Sequence, residues 1–120
     1  MNKRRALGRL GERKAARFLR RHGLKILQRN WRCALGEIDL VALDGDTVVF
    51  VEVRTSSRGF AGGPTFTVGP HKVRKLRTLG RAWLRRHSVE GKATRFDVIG
   101  VTRHSWRRFD IEWLRNAFQA

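Results

Sequence analysis

For its size this chain is short of acids. Its 120 residues include only 10 Asp and Glu, against 27 Lys and Arg, for a formal net charge of +17. It has one cysteine, two prolines and no tyrosine. A single Cys33 excludes an intrachain disulfide and any zinc site built on several cysteines, and it fits a reducing cytoplasm. No apolar run approaches the ~18–20 residues of a membrane span. The basic N-terminus is not followed by an apolar stretch of signal-peptide length. The expectation is a cytoplasmic protein with no membrane partner.

The scarce acids are not spread evenly. From Cys33 to Val53 there is no basic residue, and half of all acids fall there: Glu37, Asp39, Asp44, Asp46 and Glu52. Residues 1–32 hold 12 Lys and Arg and one acid, Glu12, while residues 54–87 hold nine and no acid. A chain this basic attracts polyanions, with an affinity that falls steeply with salt. Nucleic acid is the expected partner. An acidic island inside such a chain is what a cation-assisted attack on a phosphate backbone requires. At this length the chain is one domain, able to bury roughly two-thirds of its extended surface.

Residues 6–22 read as a first helix, with Leu7, Leu10, Phe18 and Leu19 at apolar spacing and Gly23 as the stop. Residues 24–32 read as a short strand or an irregular lead-in. Residues 36–43 and 47–54 are strands by β-branched content, with Asp44-Gly45 as a hairpin signal between them. Residues 56–69 read as a loop, either a lid over substrate or an ordinary connection. Pro70 opens a second helix over 70–87. Its buried stripe is Val73, Leu76, Leu79, Gly80, Trp83 and Leu84. A strand over 94–102, another over 107–112 and a short helix over 113–118 complete a mixed α/β domain, a central sheet flanked by helices.

Side chains alternate faces along a strand. Glu37 therefore shares a face with Asp39, and Glu52 with Arg54. A two-residue loop at Asp44-Gly45 sets Glu37 opposite Glu52, and a four-residue loop sets Asp39 there. Either keeps all four groups on one side of the ribbon. Opposed carboxylates, with Cβ atoms about 5 Å apart, can share a hard cation such as Mg²⁺, which takes one or two protein carboxylates plus water and phosphate. Ile38, Leu40, Ala42, Val49, Val51 and Val53 read as the packed faces. Glu12 has Gly8, Ala15, Ala16 and Leu19 as helical neighbours, which turns it toward the sheet; the alternative is a pairing with Arg9, Arg13 or Arg17. Asp44 and Asp46 read as turn residues.

The stretch G-E-I-D-L-V-A at 36–42, followed by V-F-V-E-V-R at 49–54, resembles the bacterial YraN family of small, endonuclease-like proteins. The similarity runs over nearly the whole chain: G-x-x-G-E at 8–12, I-L-x-R-N at 26–30, K-V-x-K-L at 72–76, R-F-D-V at 95–98 and N-A-F at 116–118. That family is similar in turn to archaeal Holliday-junction resolvases and the restriction-endonuclease-like superfamily. The resemblance implies that fold, as a single domain over 1–120. It implies an acid on the first helix, an Asp on one strand and E-x-K on the next, roles that fall to Glu12, Asp39, Glu52 and position 54. Position 54 is Arg where Lys is usual. Arg54 stays protonated and cannot accept a proton, though it suits holding the scissile phosphate. A Glu near 67 and a His near 113, common in the family, are Thr67 and Trp113 here.

The expected function is a Mg²⁺- or Mn²⁺-dependent endonuclease that cuts branched or structured DNA. Asp39, Glu52 and the backbone carbonyl of Val53 would hold the ion. Glu12 would hold a second ion or a water, Arg54 would stabilise charge at phosphorus, and Glu37 is an extra acid. Arg58, Lys72, Arg74, Lys75 and, on the first helix, Arg9 and Arg13 would grip the backbone with little sequence preference. One alternative is a catalytically impaired nuclease fold that only binds DNA or RNA. Another is an accessory of RNA or ribosome metabolism. Resolvases act on symmetric junctions as dimers, so the resemblance also implies a homodimer as an option. Trp31, Trp83, Trp106 and Trp113 are candidate base-stacking surfaces, although helical spacing puts Trp83 in the core. His71 and His104 read as structural or solvated.

Overall fold

The computed structural model describes residues 2–58 and 68–119. Its elements are α1 (Lys3–Arg21), β1 (Lys25–Cys33), β2 (Gly36–Asp44), β3 (Thr47–Ser56), α2 (Pro70–Arg86), β4 (Thr94–Arg103) and β5 (Phe109–Phe118). The strands form one sheet in chain order, β1-β2-β3-β4-β5. Neighbours are antiparallel except β3 and β4, which run parallel. A parallel pair needs a crossover, and α2 lies in it.

Local chemistry sets the helix ends. Asn2 caps α1, its Oδ1 accepting the Arg4 N–H at 2.8 Å. At the other end Gly23, at φ +91°, turns the chain. Its N–H reaches the Arg20 carbonyl at 3.1 Å and the Leu24 N–H reaches that of Leu19 at 3.0 Å, a Schellman closure. Leu19 and Leu24 are both buried, so this turn also fixes where β1 begins. α2 opens on Pro70 and closes in the same manner, the Val89 N–H reaching the Leu84 carbonyl at 3.0 Å. No described helix is long and apolar enough to cross a membrane.

The helices cover opposite faces of the sheet. α1 lays Ala15, Ala16 and Leu19 on Leu40, Ala42, Val49, Val51, Ile99 and Val101. α2 lays Leu76, Leu79, Trp83 and Leu84 on Ile38, Val41, Val48, Phe50 and Phe96. Each helix meets the sheet at a glycine. A Cβ at Gly11 would fall 2.0 Å from Thr55 Oγ1, and one at Gly80 3.0 Å from ring carbons of Phe50 and Phe96. The first of these contacts seats the next residue, Glu12, against the sheet.

The β2–β3 hairpin turns through Gly45 and Asp46, with Asp44 paired to Thr47 and Leu40 to Val51. This is the register in which Asp39 comes opposite Glu52. Two expectations fail. Residues 113–118 are not a helix, because β5 continues to Phe118. Pairing along the open edge of β4 overrides local preference, and it sends Trp113 to the α1 side and Phe118 to the α2 side. The second failure is alternation in β2. Leu40 and Ala42 pack on the α1 side, whereas Ile38 packs on the α2 side with its partner Trp31. Between these pairs lies Asn30, at φ +50°, so β1 and β2 swivel together at Asn30 and Asp39. The result is a mixed five-stranded sheet between two helices, an α/β architecture consistent with a restriction-endonuclease-like fold.

Candidate active site at the fork of β2 and β3

The pairing of β2 with β3 runs as far as Leu40 and Val51. Beyond it the swivel turns Asp39 toward β3, and its carboxylate stands in for a ladder carbonyl: Oδ2 accepts the Val53 N–H at 2.8 Å. The N–H and C=O of a strand residue point toward the same neighbour, so the Val53 carbonyl faces this fork too. The Glu52 carboxylate lies near enough for its charge to act on Asp39. Burial first, and the Glu52 charge second, push Asp39 up to about 8, against the opposing pull of the Val53 N–H. Glu12 adds a smaller push upward.

Lys72, in the first turn of α2, places its Nζ 3.1 Å from Glu52 Oε2. The Glu52 side chain is only 14% exposed, so this ion pair is shielded more than an ordinary surface one. Lys72, expected along the nucleic-acid backbone, thus sits on a fork acid.

Glu12 approaches from the other face. Burial raises its pKa, and the Asn30 side chain opposes the rise. With the Asn30 amide nitrogen toward the carboxylate, the orientation its neighbours require, that nitrogen lies 3.1 Å from Oε1 and 3.2 Å from Oε2. The left-handed backbone at Asn30, which Asn tolerates better than most residues, belongs to the same swivel. Glu37 does not join Asp39 and Glu52 as strand alternation implied. It pairs with Arg32 at 2.8 Å and lines an open hollow of about 660 Å³ with Glu12, Asn30, Arg5 and Arg9. A second hollow of about 410 Å³ lies against Glu12, lined also by Arg4, Val53, Thr55 and Arg58.

Arg54 is half-buried, two residues beyond Glu52 and on its face by strand period. Arg9, Arg13, Arg58, Arg74 and Lys75 are exposed. Lys75 crosses Gly36 so closely that a Cβ there would fall 2.9 Å from its Cε. Residues 59–67, with Thr67 and most of the candidate lid, lie outside the described residues.

Asp97 escaped sequence reasoning as a residue of interest, and it is the only fully buried charged side chain among the described residues. It accepts hydrogen bonds from Arg95 Nε at 2.9 Å and Nη2 at 3.1 Å, from Trp113 Nε1 at 2.9 Å and from the Asn116 N–H at 2.9 Å. Arg95 reaches on to Asp44 at 2.9 Å, where Arg115 joins at 3.0 Å. Asp44 is therefore more than a turn residue. The available signal was an Arg and an Asp two apart on one strand face, in R-F-D. Of the tryptophans, Trp83 and Trp31 are buried, Trp113 is committed to Asp97, and Trp106 is exposed. His104 pairs with Asp110 at 2.6 Å.

A profile of the Uncharacterised protein family UPF0102 matches residues 11–101, a span that contains Glu12, Asp39, Glu52, Arg54 and Lys72. A UPF0102 protein of Streptomyces griseus is 50% identical over 103 residues, covering 84% of this chain and 86% of its own. One of Beutenbergia cavernae is 44% identical over 110 residues, covering 92% of this chain and 93% of its own. One of Geobacter metallireducens is 44% identical over 114 residues, covering 95% and 93%.

Proposed function

This chain belongs to the uncharacterised protein family UPF0102, the YraN family, and on that premise we propose that it is a Mg²⁺- or Mn²⁺-dependent endonuclease acting on branched or structured DNA. The observation that carries the reading is the half-shielded Asp39 at the fork, bound to the Val53 N–H and acted on by the neighbouring Glu52 charge, inside a chain of net charge +17. Two neighbouring acids amid basic residues invite a cation between them.

The donors fit a hard divalent ion, since all of them are oxygens. Among the described residues no three His, Cys, Asp or Glu are grouped to cage a metal unaided. Water and substrate phosphate would complete the shell, which is the habit of Mg²⁺ rather than of structural Zn²⁺. When bound, such an ion supplies charge neutralisation at the phosphate and lowers the pKa of a water. Asp39, Glu52 and the Val53 carbonyl hold it, and Glu12, steadied by Asn30, holds a second ion or a water. Arg54 stays charged and binds the scissile phosphate. Lys72 pairs with Glu52 at 3.1 Å and orients its carboxylate at the fork. Arg9, Arg13, Arg58, Arg74 and Lys75 grip the backbone. Cys33, free and half-buried, suits a reducing cytoplasm, and a homodimer would suit a symmetric junction.

One observation favours a second reading, in which the fold only binds DNA or RNA. The Lys72 ammonium already neutralises Glu52, and Arg54 cannot serve as a base. Cleavage of a four-way junction with Mg²⁺ or Mn²⁺ separates the two. The wild type should cut, and Asp39→Asn should cut at least about a hundredfold more slowly while binding equally well. Wild-type cutting by Asp39→Asn would remove the fork from the chemistry. Salt-sensitive binding by the wild type without any cutting would leave the binding role.

A further inference from the structure

We propose that the β4–β5 turn is a base-stacking finger, with Trp106 as a platform for an unpaired nucleobase of the bound strand. The proposal rests on the nucleic-acid reading above and says which substrates are preferred. Trp106 is 70% exposed, more than any other large apolar residue described. The Arg107 guanidinium lies 4.3 Å from its ring centroid. That covers one face of the indole and leaves the other in solvent.

The turn that presents it is built rather than loose. The Ser105 hydroxyl accepts the Arg108 N–H at 3.1 Å, and the His104 N–H meets the Arg108 carbonyl at 2.9 Å. The His104–Asp110 pair at 2.6 Å closes the base of the turn. An exposed tryptophan held in this way loses little freedom on binding. The same turn carries Arg108 and, at its base, Arg103, whose guanidinium lies over Phe109. A flat aromatic among arginines matches a base beside its own phosphates.

Placement supports the same occupant. β3 and β4 are parallel, with Glu52 beside Val98 and Ser56 beside Thr102. The finger therefore rises from the end of the sheet toward which β3 runs past the fork. Its base, Arg103 at the end of β4, lies five residues beyond the level of Glu52, about 16 Å along the strand. That distance spans roughly five base steps. A strand gripped at the fork can thus meet Trp106 with a base that is unstacked, as at a junction, bulge or loop.

The test measures affinity at fixed salt for a labelled duplex and for the same duplex carrying one unpaired thymine, using wild type, Trp106→Ala and Trp106→Phe. Vesicles of phosphatidylglycerol and phosphatidylcholine form a parallel arm. Trp106→Ala should weaken binding to the bulged duplex about tenfold and leave the plain duplex unchanged, while Trp106→Phe keeps most of the difference. Equal binding of both DNAs by all three proteins would overturn the proposal, as would an equal loss on both. Loss of vesicle binding alone would make the finger a lipid contact and overturn it too. A wild type that binds neither DNA even at low salt would instead overturn the nucleic-acid reading beneath it.

Discussion

Asp97 and Asp39 are both shielded carboxylates on the central sheet, and their surroundings differ in kind. Asp97 receives a two-pronged Arg95, an indole N–H and a backbone N–H. Among these donors, the Arg95 guanidinium brings a full positive charge to within 2.9 Å. Asp39 receives one backbone N–H, and next to it lies a second acid. Burial alone therefore does not separate a structural carboxylate from a candidate catalytic one. The balance of donors against competing acids does. Where donors are in excess, the carboxylate is a fastener that ties β5 to β4 and, through Arg95, to Asp44 at the hairpin. Where acids are in excess, the site has the character the proposed cation would use.

The largest effect that can break this comparison is Asp97→Ala. It leaves the Arg95 guanidinium, the Trp113 indole and the Asn116 N–H without their acceptor at once. Removing one partner of a buried, hydrogen-bonded charge pair costs about 3–5 kcal/mol, so urea unfolding should show a loss of that order. Asp39→Asn should cost nothing comparable, because the amide oxygen still accepts the Val53 N–H and no charged partner is left unpaired. If the two substitutions destabilise the domain equally, the contrast is false and Asp39 is a fastener as well.

A smaller effect lies in the pH dependence of the metal-free protein. Asp39 sits above its unfolded value, near 8 rather than 3.8. The folded chain therefore holds a proton that the unfolded chain has released. This contribution to stability is complete below about 4 and is lost as pH rises to about 8. The difference in thermal midpoint between wild type and Asp39→Asn should shrink toward acid and widen toward pH 8, with the variant the more stable at the alkaline end. A difference that stays constant from pH 5 to 8 would mean that Asp39 does not titrate in that range.

Much of this was legible in the chain, for identifiable reasons. The hairpin strands are bounded by β-branched runs and an Asp-Gly signal that act over a few residues, so both strands were legible. The turn, however, falls one residue on, at Gly45 and Asp46, which selects the register that brings Asp39 rather than Glu37 toward Glu52. The swivel was not legible. It depends on Asn30 adopting a left-handed backbone against a neighbouring strand, and no local pattern in I-L-Q-R-N-W announces it. The Lys72–Glu52 pair joins positions 20 residues apart through the seating of α2, which depends on Gly80 fitting under Phe50 and Phe96. β5 was misread for a related reason. W-L-R-N-A-F has no clean alternation, and it becomes a strand only because β4 offers an unpaired edge and Asp97 offers two acceptor oxygens.

The smallest expected effect sharpens the comparison most. Strand alternation put Glu37 in the same group as Asp39, whereas the swivel separates them and gives Glu37 to Arg32. Both members of that pair are well exposed, at 77% and 40%, so it contributes at most a few tenths of a kcal/mol. Glu37→Gln should accordingly leave the unfolding midpoint almost unchanged. If the fork is made of Asp39 and Glu52, junction cleavage should also survive within about twofold, a shift of under half a kcal/mol in the barrier. Loss of cutting in a variant so nearly silent in stability would extend the working acids across the rim to the α1 side. The hollow shared by Glu12 and Glu37 would then hold the reacting phosphate, and Asp39 with Glu52 would be its support.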